Sequence, residues 1–160
     1  MSDAPFAAVE AWVEVPLRRF VEDARVLRTL LLHPSGRVVA QQGFARSTDV
    51  MSACALAAGI RASAGELGRM LDGRPFGELF HANDGRQLYL ADVATRRGPY
   101  VLLAVFGAES SLGLVRLYFA ELAQRLAEVA PASAVAEAEV LPSGFEQELN
   151  CNLAVLFGRA

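Results

Sequence analysis

Apolar and polar positions follow two periods along the chain, and the longest regular stretch covers residues 48–72. Apolar residues recur there at alternating steps of three and four, which is the spacing of one helix face. Gly73 follows the stretch and favours a helix end. We expect Ser47 or Thr48 to cap this central helix. Its predicted core-facing residues are Val50, Ala53, Ala57, Ile60, Ala64, Leu67 and Leu71.

The opposite side of the central helix carries small apolar residues where a solvated helix normally carries charged ones. The residues on this side are Met51, Ala55, Ala58, Ala62, Gly65, Glu66 and Arg69. Gly59, Gly65 and Gly68 lie inside the helix, although an interior glycine costs about 1 kcal/mol relative to alanine. The pattern predicts a second packing surface, with another group of atoms close to the helix backbone.

The segments before the central helix predict a helix and a β-hairpin. Residues 4–23 have helical periodicity, and Pro16 within them predicts a kink or a break into two helices. Residues 26–33 and 37–42 are short and apolar, and they flank the turn residues Pro-Ser-Gly at 34–36. Such a pattern is typical of a hairpin.

The segments after the central helix predict three strands and a last helix. The strands cover residues 77–82, 86–94 and 100–106, and Ser110 or Ser111 caps a helix that ends near residue 130. The predicted fold class is therefore α+β, with a five-stranded antiparallel sheet and helices on both faces. The first and third helices share one face, and the central helix takes the other.

Composition divides the chain into a domain, a linker and a tail. Residues 1–130 form the predicted domain, and residues 131–144 are a linker rich in alanine, glutamate, serine and proline. Residues 145–160 are a C-terminal helical tail. A helix this short requires a surface on which to dock. The predicted docking residues of the tail are Phe145, Leu149, Leu153 and Leu156.

Composition and charge exclude several classes of function. Hydrophobic residues make up 53% of the chain and charged residues 21%, which is typical of a globular protein. The net charge of -3 provides no basic field for nucleic acid. We find no signal-peptide pattern and no apolar stretch long enough to span a bilayer. A cytoplasmic protein without membrane insertion is therefore expected.

Candidate catalytic and metal-binding residues lack the neighbours that such sites require. His33 and His81 have no cysteine or second histidine at ligand spacing, and Cys54 and Cys151 form no disulfide framework or metal motif. Ser110 and Ser111 lack the glycines of a nucleophile elbow, so a helix cap is favoured. Glycine-rich phosphate loops are absent. We expect no catalytic residue, no metal and no cofactor.

Several arginines raise the alternative of an arginine finger that reaches into a partner's phosphate site. Solvated or salt-bridged arginine is the favoured interpretation of each. The candidates are Arg61, Arg69, Arg74, Arg96 and Arg97.

Six short strings, taken in this order, resemble the roadblock / dynein light-chain family. The resemblance covers residues 17–129, and SLGLVRL is its most specific string. The strings are LLLHPSG at 30–36, VVA at 38–40, LAAG at 56–59, FH at 80–81, LYL at 88–90 and SLGLVRL at 111–117.

The resemblance implies a homodimer with a continuous sheet, which pairs through the second helix and third strand of the family fold. Here these are the central helix and residues 77–82. Some members of the family regulate a bacterial Ras-like GTPase, which docks on the outward surface of the paired helices. The implied dimer residues are Ala58, Glu78, Leu79, Phe80 and His81. The implied partner-binding residues are Ala55, Ala58, Ala62, Gly65, Glu66 and Arg69.

The function implied by the resemblance is that of a GTPase-activating protein, which positions the catalytic groups of the GTPase and adds none of its own. The tail could also contact the GTPase. Two alternatives stay open. One is a dimeric scaffold of a polarity or motor complex that leaves GTP turnover unchanged, and the other is a small-molecule sensor.

Overall fold

The described residues, 6–132 of a computed structural model, form an antiparallel sheet of six strands with helices on both faces. The tail and all but the first two linker residues lie outside this range. Within it, no helix combines the length and the apolar character that a membrane span requires. The elements are β1 (Phe6–Ala8), α1 (Ala11–Ala24), β2 (Arg28–Leu32), β3 (Val38–Gln42), α2 (Ser47–Asp72), β4 (Glu78–Asn83), β5 (Arg86–Thr95), β6 (Gly98–Phe106) and α3 (Leu112–Val129).

The strands follow the order β1-β3-β2-β6-β5-β4, so β1 and β4 form the two edges of the sheet. The predicted number of five strands is wrong because β1 was taken as the start of a helix. Phe6 pairs with Gln42 and Ala8 with Ala40. The three residues of β1 are too few to establish a period of two in the sequence. The other five strands lie where the apolar pattern predicts them.

Helix α1 begins at Ala11 and continues through Pro16, so of the expected kink or break, the break into two helices is wrong. Pro16 itself is buried, and the apolar face of α1 is buried continuously from Val13 to Ala24. Packing of this face on the sheet offsets the loss of one backbone donor. Tertiary contacts thus override the local signal.

Two hydrophobic cores lie on opposite faces of the sheet. Helices α1 and α3 cover the larger core, which includes Leu17 and Leu126. Helix α2 covers the smaller core through Val50, Cys54 and Ala57. This arrangement confirms the predicted distribution of the helices. Burial raises the pKa of the Cys54 thiol, so this cysteine stays protonated and unreactive.

Strand β6 has no polar alternation because both of its faces are buried. Val101 and Leu103 belong to the smaller core, whereas Leu102 and Ala104 belong to the larger one. Side chains of a strand point alternately to the two faces, so a central strand must be apolar at every position.

The backbone that comes close to α2 belongs to the chain itself. After Gly73 the chain turns back across the helix, and a Cβ atom at Gly68 would lie 2.5 Å from the Phe76 nitrogen and 2.7 Å from the Arg74 carbonyl oxygen. A Cβ atom at Gly65 would lie 3.8 Å from the Pro75 Cβ, which is an ordinary van der Waals contact. Gly68 is therefore required by the return segment, residues 74–76.

Replacing Gly68 with alanine should lower the free energy of unfolding by about 1–3 kcal/mol, because the return segment must move to admit the methyl group. Gly65→Ala is the matched control, one turn away on the same side of α2. It should raise that free energy by about 0.5–1 kcal/mol through helix propensity. Urea denaturation of both variants measures the difference. Equal effects of the two substitutions would contradict the close approach at Gly68.

Candidate functional site

Helix α2 contacts the sheet along a narrow line, which leaves both of its flanks open. The buried positions are Val50, Cys54 and Ala57 in the first half and Gly65 and Gly68 in the second. The second half therefore rests on the return segment, and its own glycines allow this close packing. A helix held by small residues presents most of its larger side chains to solvent.

The core-facing stripe predicted for α2 is correct only in part. Val50 and Ala57 are buried, and Ala53 and Ala64 are half-buried. Ile60, Leu67 and Leu71 were expected in the core, yet they are 41%, 46% and 63% exposed. The buried side of α2 instead includes Cys54, Gly65 and Gly68, because these small residues let the helix lie close to its neighbours.

The first open flank of α2 lies beside the edge strand β4. Leu56, Ile60 and Leu67 line a groove of about 560 Å³ that Leu79 of β4 closes on the other side. Leu56 is 67% exposed. We call this the α2–β4 groove. It joins an apolar surface to a strand whose outer backbone groups have no partner strand within the described residues.

The predicted dimer residues of β4 divide between the two faces of this edge strand. Leu79 lies on the α2 side and is half-buried, while Phe80 lies on the α3 side and stacks on Phe106 with 6.5 Å between ring centroids. His81 is exposed. Ala58 was predicted to join these dimer residues, but it is half-buried on the other flank of α2. There it lies beside the hairpin turn, because a Cβ atom added at Gly36 would be 3.7 Å from the Ala58 Cβ. The structure does not bring Ala58 to β4.

Glu78, the first residue of β4, is held by contacts within the chain. Its carboxylate accepts hydrogen bonds from the Arg116 Nε at 2.6 Å and from the Tyr89 hydroxyl at 3.2 Å. Burial, with a further contribution from the Glu78 carboxylate, raises the pKa of Tyr89. The hydroxyl therefore remains a donor, and the three side chains fix β4 against β5 and α3.

The second open flank of α2, which we call the small-residue flank, comprises Met51, Ala55, Ala62, Glu66 and Arg69, all of them exposed. Ala55 also borders the α2–β4 groove. Glu66 and Arg69 form an exposed ion pair one turn apart on this flank.

Two of the predicted partner-binding residues are less available than expected. Gly65 is buried beneath Pro75, so its placement on the outer surface is wrong. Ala58 is half-buried beside the hairpin turn at Gly36. Both lie on the inner border of the small-residue flank, because the return segment and the hairpin turn pack against the sides of α2.

Three of the five arginines considered as arginine fingers form ion pairs within the chain. Arg61 of α2 binds Asp92 of β5 through two hydrogen bonds, Nε to Oδ1 at 2.9 Å and Nη2 to Oδ2 at 2.8 Å. The hydrogen bond with Asp92 raises the pKa of Arg61. Arg97 pairs with Glu10 at 2.9 Å, and Arg69 pairs with Glu66. These contacts favour a structural role for the three arginines.

Side chains with catalytic potential have local structural roles. Ser111 accepts a hydrogen bond from the Leu114 backbone at 3.2 Å and thereby caps α3. Ser110 Oγ donates to the Ala24 carbonyl at 2.5 Å, and His33 Nδ1 lies 2.9 Å from Ser35 Oγ inside the hairpin turn. Between residues 6 and 132, no three histidine, cysteine or acidic side chains are grouped so that they could hold a metal ion.

The sequence analysis did not predict that the apolar residues of the α2–β4 groove form an exposed surface, although their spacing indicates one. Leu56, Ile60, Leu67 and Leu71 recur at helical spacing and form a second apolar stripe. Periodicity identifies such stripes but does not say which one faces the core. The glycines at 65 and 68 were the sign that the core lay on the other side.

Comparison with known proteins places this geometry in a recognised fold. MglB from Myxococcus xanthus superimposes with a TM-score of 0.68 at 25% identity, covering 76% of this chain and 97% of its own. The gliding protein MglB from Thermus thermophilus gives 0.64 at 24%, covering 74% and 88%. A Roadblock/LC7 domain from Streptomyces avermitilis gives 0.57 at 21%, covering 67% and 88%.

No family model matches the chain, and no curated protein matches it. The likeness therefore rests on the arrangement of the helices and strands, which these solved structures share over most of their length. The chain has a roadblock-family fold and is similar in structure to MglB.

Proposed function

We propose that this chain is a homodimeric activator of a small Ras-like GTPase of the MglA type, acting in the bacterial cytoplasm in cell polarity or motility. The observation that carries the proposal is the exposure of α2 on both flanks. One flank is apolar and lies beside an open sheet edge, and the other is lined by small residues. A roadblock fold with these two surfaces suits a protein that binds a second copy and a partner at once.

The α2–β4 groove is the proposed site of the second copy. Two β4 strands that pair antiparallel across a two-fold axis would join the two sheets and satisfy the free backbone groups of both edges. The same operation would bring Leu56, Ile60 and Leu67 of each copy to the interface, where their burial supplies the hydrophobic contribution. A solved structure described as MglB with a tetrameric arrangement supports self-association in this fold.

The small-residue flank is the proposed docking site of the GTPase. Short side chains at Ala55 and Ala62 let a partner approach the α2 backbone closely, and the Glu66–Arg69 pair supplies a polar border. Charged residues at the rim of an interface contribute more to the orientation of the bound partner than to its affinity.

The proposed mechanism is activation by positioning. The dimer binds the hydrolytic arrangement of the GTPase switch loops more tightly than other arrangements, and this difference in affinity shifts the population toward that state. The GTPase then contributes its own water-orienting group and arginine. Arg61 and Arg97 are held by Asp92 and Glu10, which disfavours either of them as an arginine finger.

Single-turnover GTP hydrolysis by a purified MglA-type GTPase tests the proposal. The full chain should accelerate hydrolysis by roughly tenfold or more, since one tenfold step corresponds to about 1.4 kcal/mol of barrier. Arg69→Ala should retain acceleration to within about threefold, whereas removal of a true arginine finger costs on the order of a thousandfold. Absence of both complex and acceleration would overturn the proposal. Loss of acceleration in Arg69→Ala with binding intact would overturn positioning as the mechanism.

Two alternatives predict different results in the same assay. Complex formation with unchanged turnover would favour a scaffold. A small-molecule sensor requires an enclosed site, but the cavity between α1 and α3 and the cavity beside Arg61 hold only about 10 Å³ each. That volume admits about one water molecule.

A further inference from the structure

A second apolar groove lies at the start of α2, against the edge strand β1. It has a volume of about 320 Å³ and is open to solvent. Val9 and Met51 on its two walls are 68% and 70% exposed. We call it the β1 groove. Its apolar lining consists of Ala7, Val9, Val38, Phe44, Val50 and Met51.

Two arginines lie at the β1 groove. Arg46 lines it, and the Arg28 guanidinium lies 5.8 Å from the centre of the Phe44 ring. Helix α2 begins at this groove with no side-chain cap, so its first backbone N–H groups add partial positive charge. Asp49 precedes Met51 by two positions and therefore projects from the opposite side of the helix. A ligand with apolar and acidic side chains fits these properties.

The sequence of residues 145–157 has the complementary character. Phe145, Leu149, Leu153 and Leu156 recur at helical spacing. Glu146 and Glu148 lie at the start of this segment, and it contains no arginine, lysine or histidine. An amphipathic segment with acidic residues at one end matches an apolar groove with a basic end.

The described chain ends near the segment that forms one wall of the groove, although α3 itself covers the opposite face of the sheet. Ser110, just before α3, bonds to Ala24 at the end of α1, and Pro16 and Phe20 of α1 face Leu122 and Arg125 of α3. The two helices are therefore antiparallel, and α3 ends near the start of α1. Val9, two residues before α1, is a wall of the groove.

The linker is long enough to reach the groove. The residues between 132 and 145 span up to about 45 Å when extended. A domain of this size has a radius of gyration of about 14 Å. The linker can therefore pass around the β1 edge of the sheet to the α2 face.

We propose that residues 145–157 dock in the β1 groove of the same chain. The apolar side of the segment covers Val9, Phe44 and Met51, and its glutamates face Arg46 and the first turn of α2.

Cross-linking through the native Cys151 of the tail tests this docking on the full chain without any GTPase. Cys54 is buried and stays unreactive. Met51→Cys and Val9→Cys place a thiol on each wall of the groove, and a short bismaleimide should join either one to Cys151 within one chain. Val15→Cys on α1 is the matched control, because Val15 is 73% exposed. The groove variants should react roughly tenfold faster than the control, since docking raises the effective concentration.

The expected product is a cross-linked monomer, identified by mass spectrometry of the joined peptides. Adding Leu149→Glu to Met51→Cys should reduce the rate to that of Val15→Cys. Equal rates in the groove variants and the control would overturn the proposal. Products joined only between isotopically light and heavy chains would overturn docking within one chain. Cross-linking that requires an added GTPase would instead place the tail on the partner.

Discussion

Replacing Leu56 with glutamate should convert the protein from a dimer to a monomer. Leu56 is 67% exposed within one copy and lines the α2–β4 groove. In the proposed dimer this side chain is buried against the second copy, and a carboxylate there loses its hydration without gaining a partner. Self-association should weaken by roughly 100-fold or more, which is about 2.8 kcal/mol. Light scattering should give a mass near 17.1 kDa instead of about twice that value.

Leu117→Glu is the matched control for this result. Leu117 is 57% exposed on α3, on the other face of the sheet, so its substitution should leave the dimer intact. Both leucines are solvent-exposed in one copy, and the fold of each variant should be preserved. Circular dichroism checks this. A Leu56→Glu variant that remains dimeric at micromolar concentration would remove the α2–β4 groove from the interface.

Ala62→Arg should abolish binding of the GTPase and leave the dimer unchanged. Ala62 lies on the small-residue flank between Ala55 and Glu66, and it is exposed. A long charged side chain at this position would hold the partner away from the α2 backbone and leave a cation at the centre of the contact. Affinity should fall by roughly 100-fold, or about 2.8 kcal/mol. Isothermal titration calorimetry measures the loss.

The control for Ala62→Arg is Ala120→Arg, which adds the same side chain to an exposed alanine of α3. Arginine is a good helix former, so neither substitution should destabilise its helix. Light scattering of both variants should give the mass of a dimer. Binding that survives in Ala62→Arg but is lost in Ala120→Arg would move the GTPase site to the α1–α3 face.

Most of the fold could be predicted from the sequence because its elements are long and regular. Five strands and the assignment of helices to the two faces followed from apolar periodicity, and Ser111 caps α3 as one of two predicted serines. The predicted cap of α2 at Ser47 or Thr48 is wrong: the helix already begins at Ser47, and Arg46 occupies the cap position without a side-chain hydrogen bond. The three residues of β1 carried too little pattern for any period to be detected.

The candidate site was predicted less well than the fold, for a reason specific to α2. Its Val50–Ala57 stripe and its Leu56–Leu67 stripe are both apolar at helical spacing. The choice between them depends on Gly68, where the return segment excludes any side chain. That contact joins residues on the two sides of a turn, and the periodicity of the helix sequence alone does not predict it. The tail residues, Phe145, Leu149, Leu153 and Leu156, lie outside residues 6–132, so their docking stays a prediction.

The short β1 strand has a consequence for the size of any assembly. In the proposed dimer the two β4 edges are joined, and β1 becomes the outermost strand at both ends of a twelve-stranded sheet. Within residues 6–132, only Phe6–Ala8 at each end offer backbone groups to a further strand. So few hydrogen bonds pair a further strand only weakly. The short β1 strand therefore disfavours extension of the sheet beyond the pair, and any larger assembly would have to use a surface other than this edge.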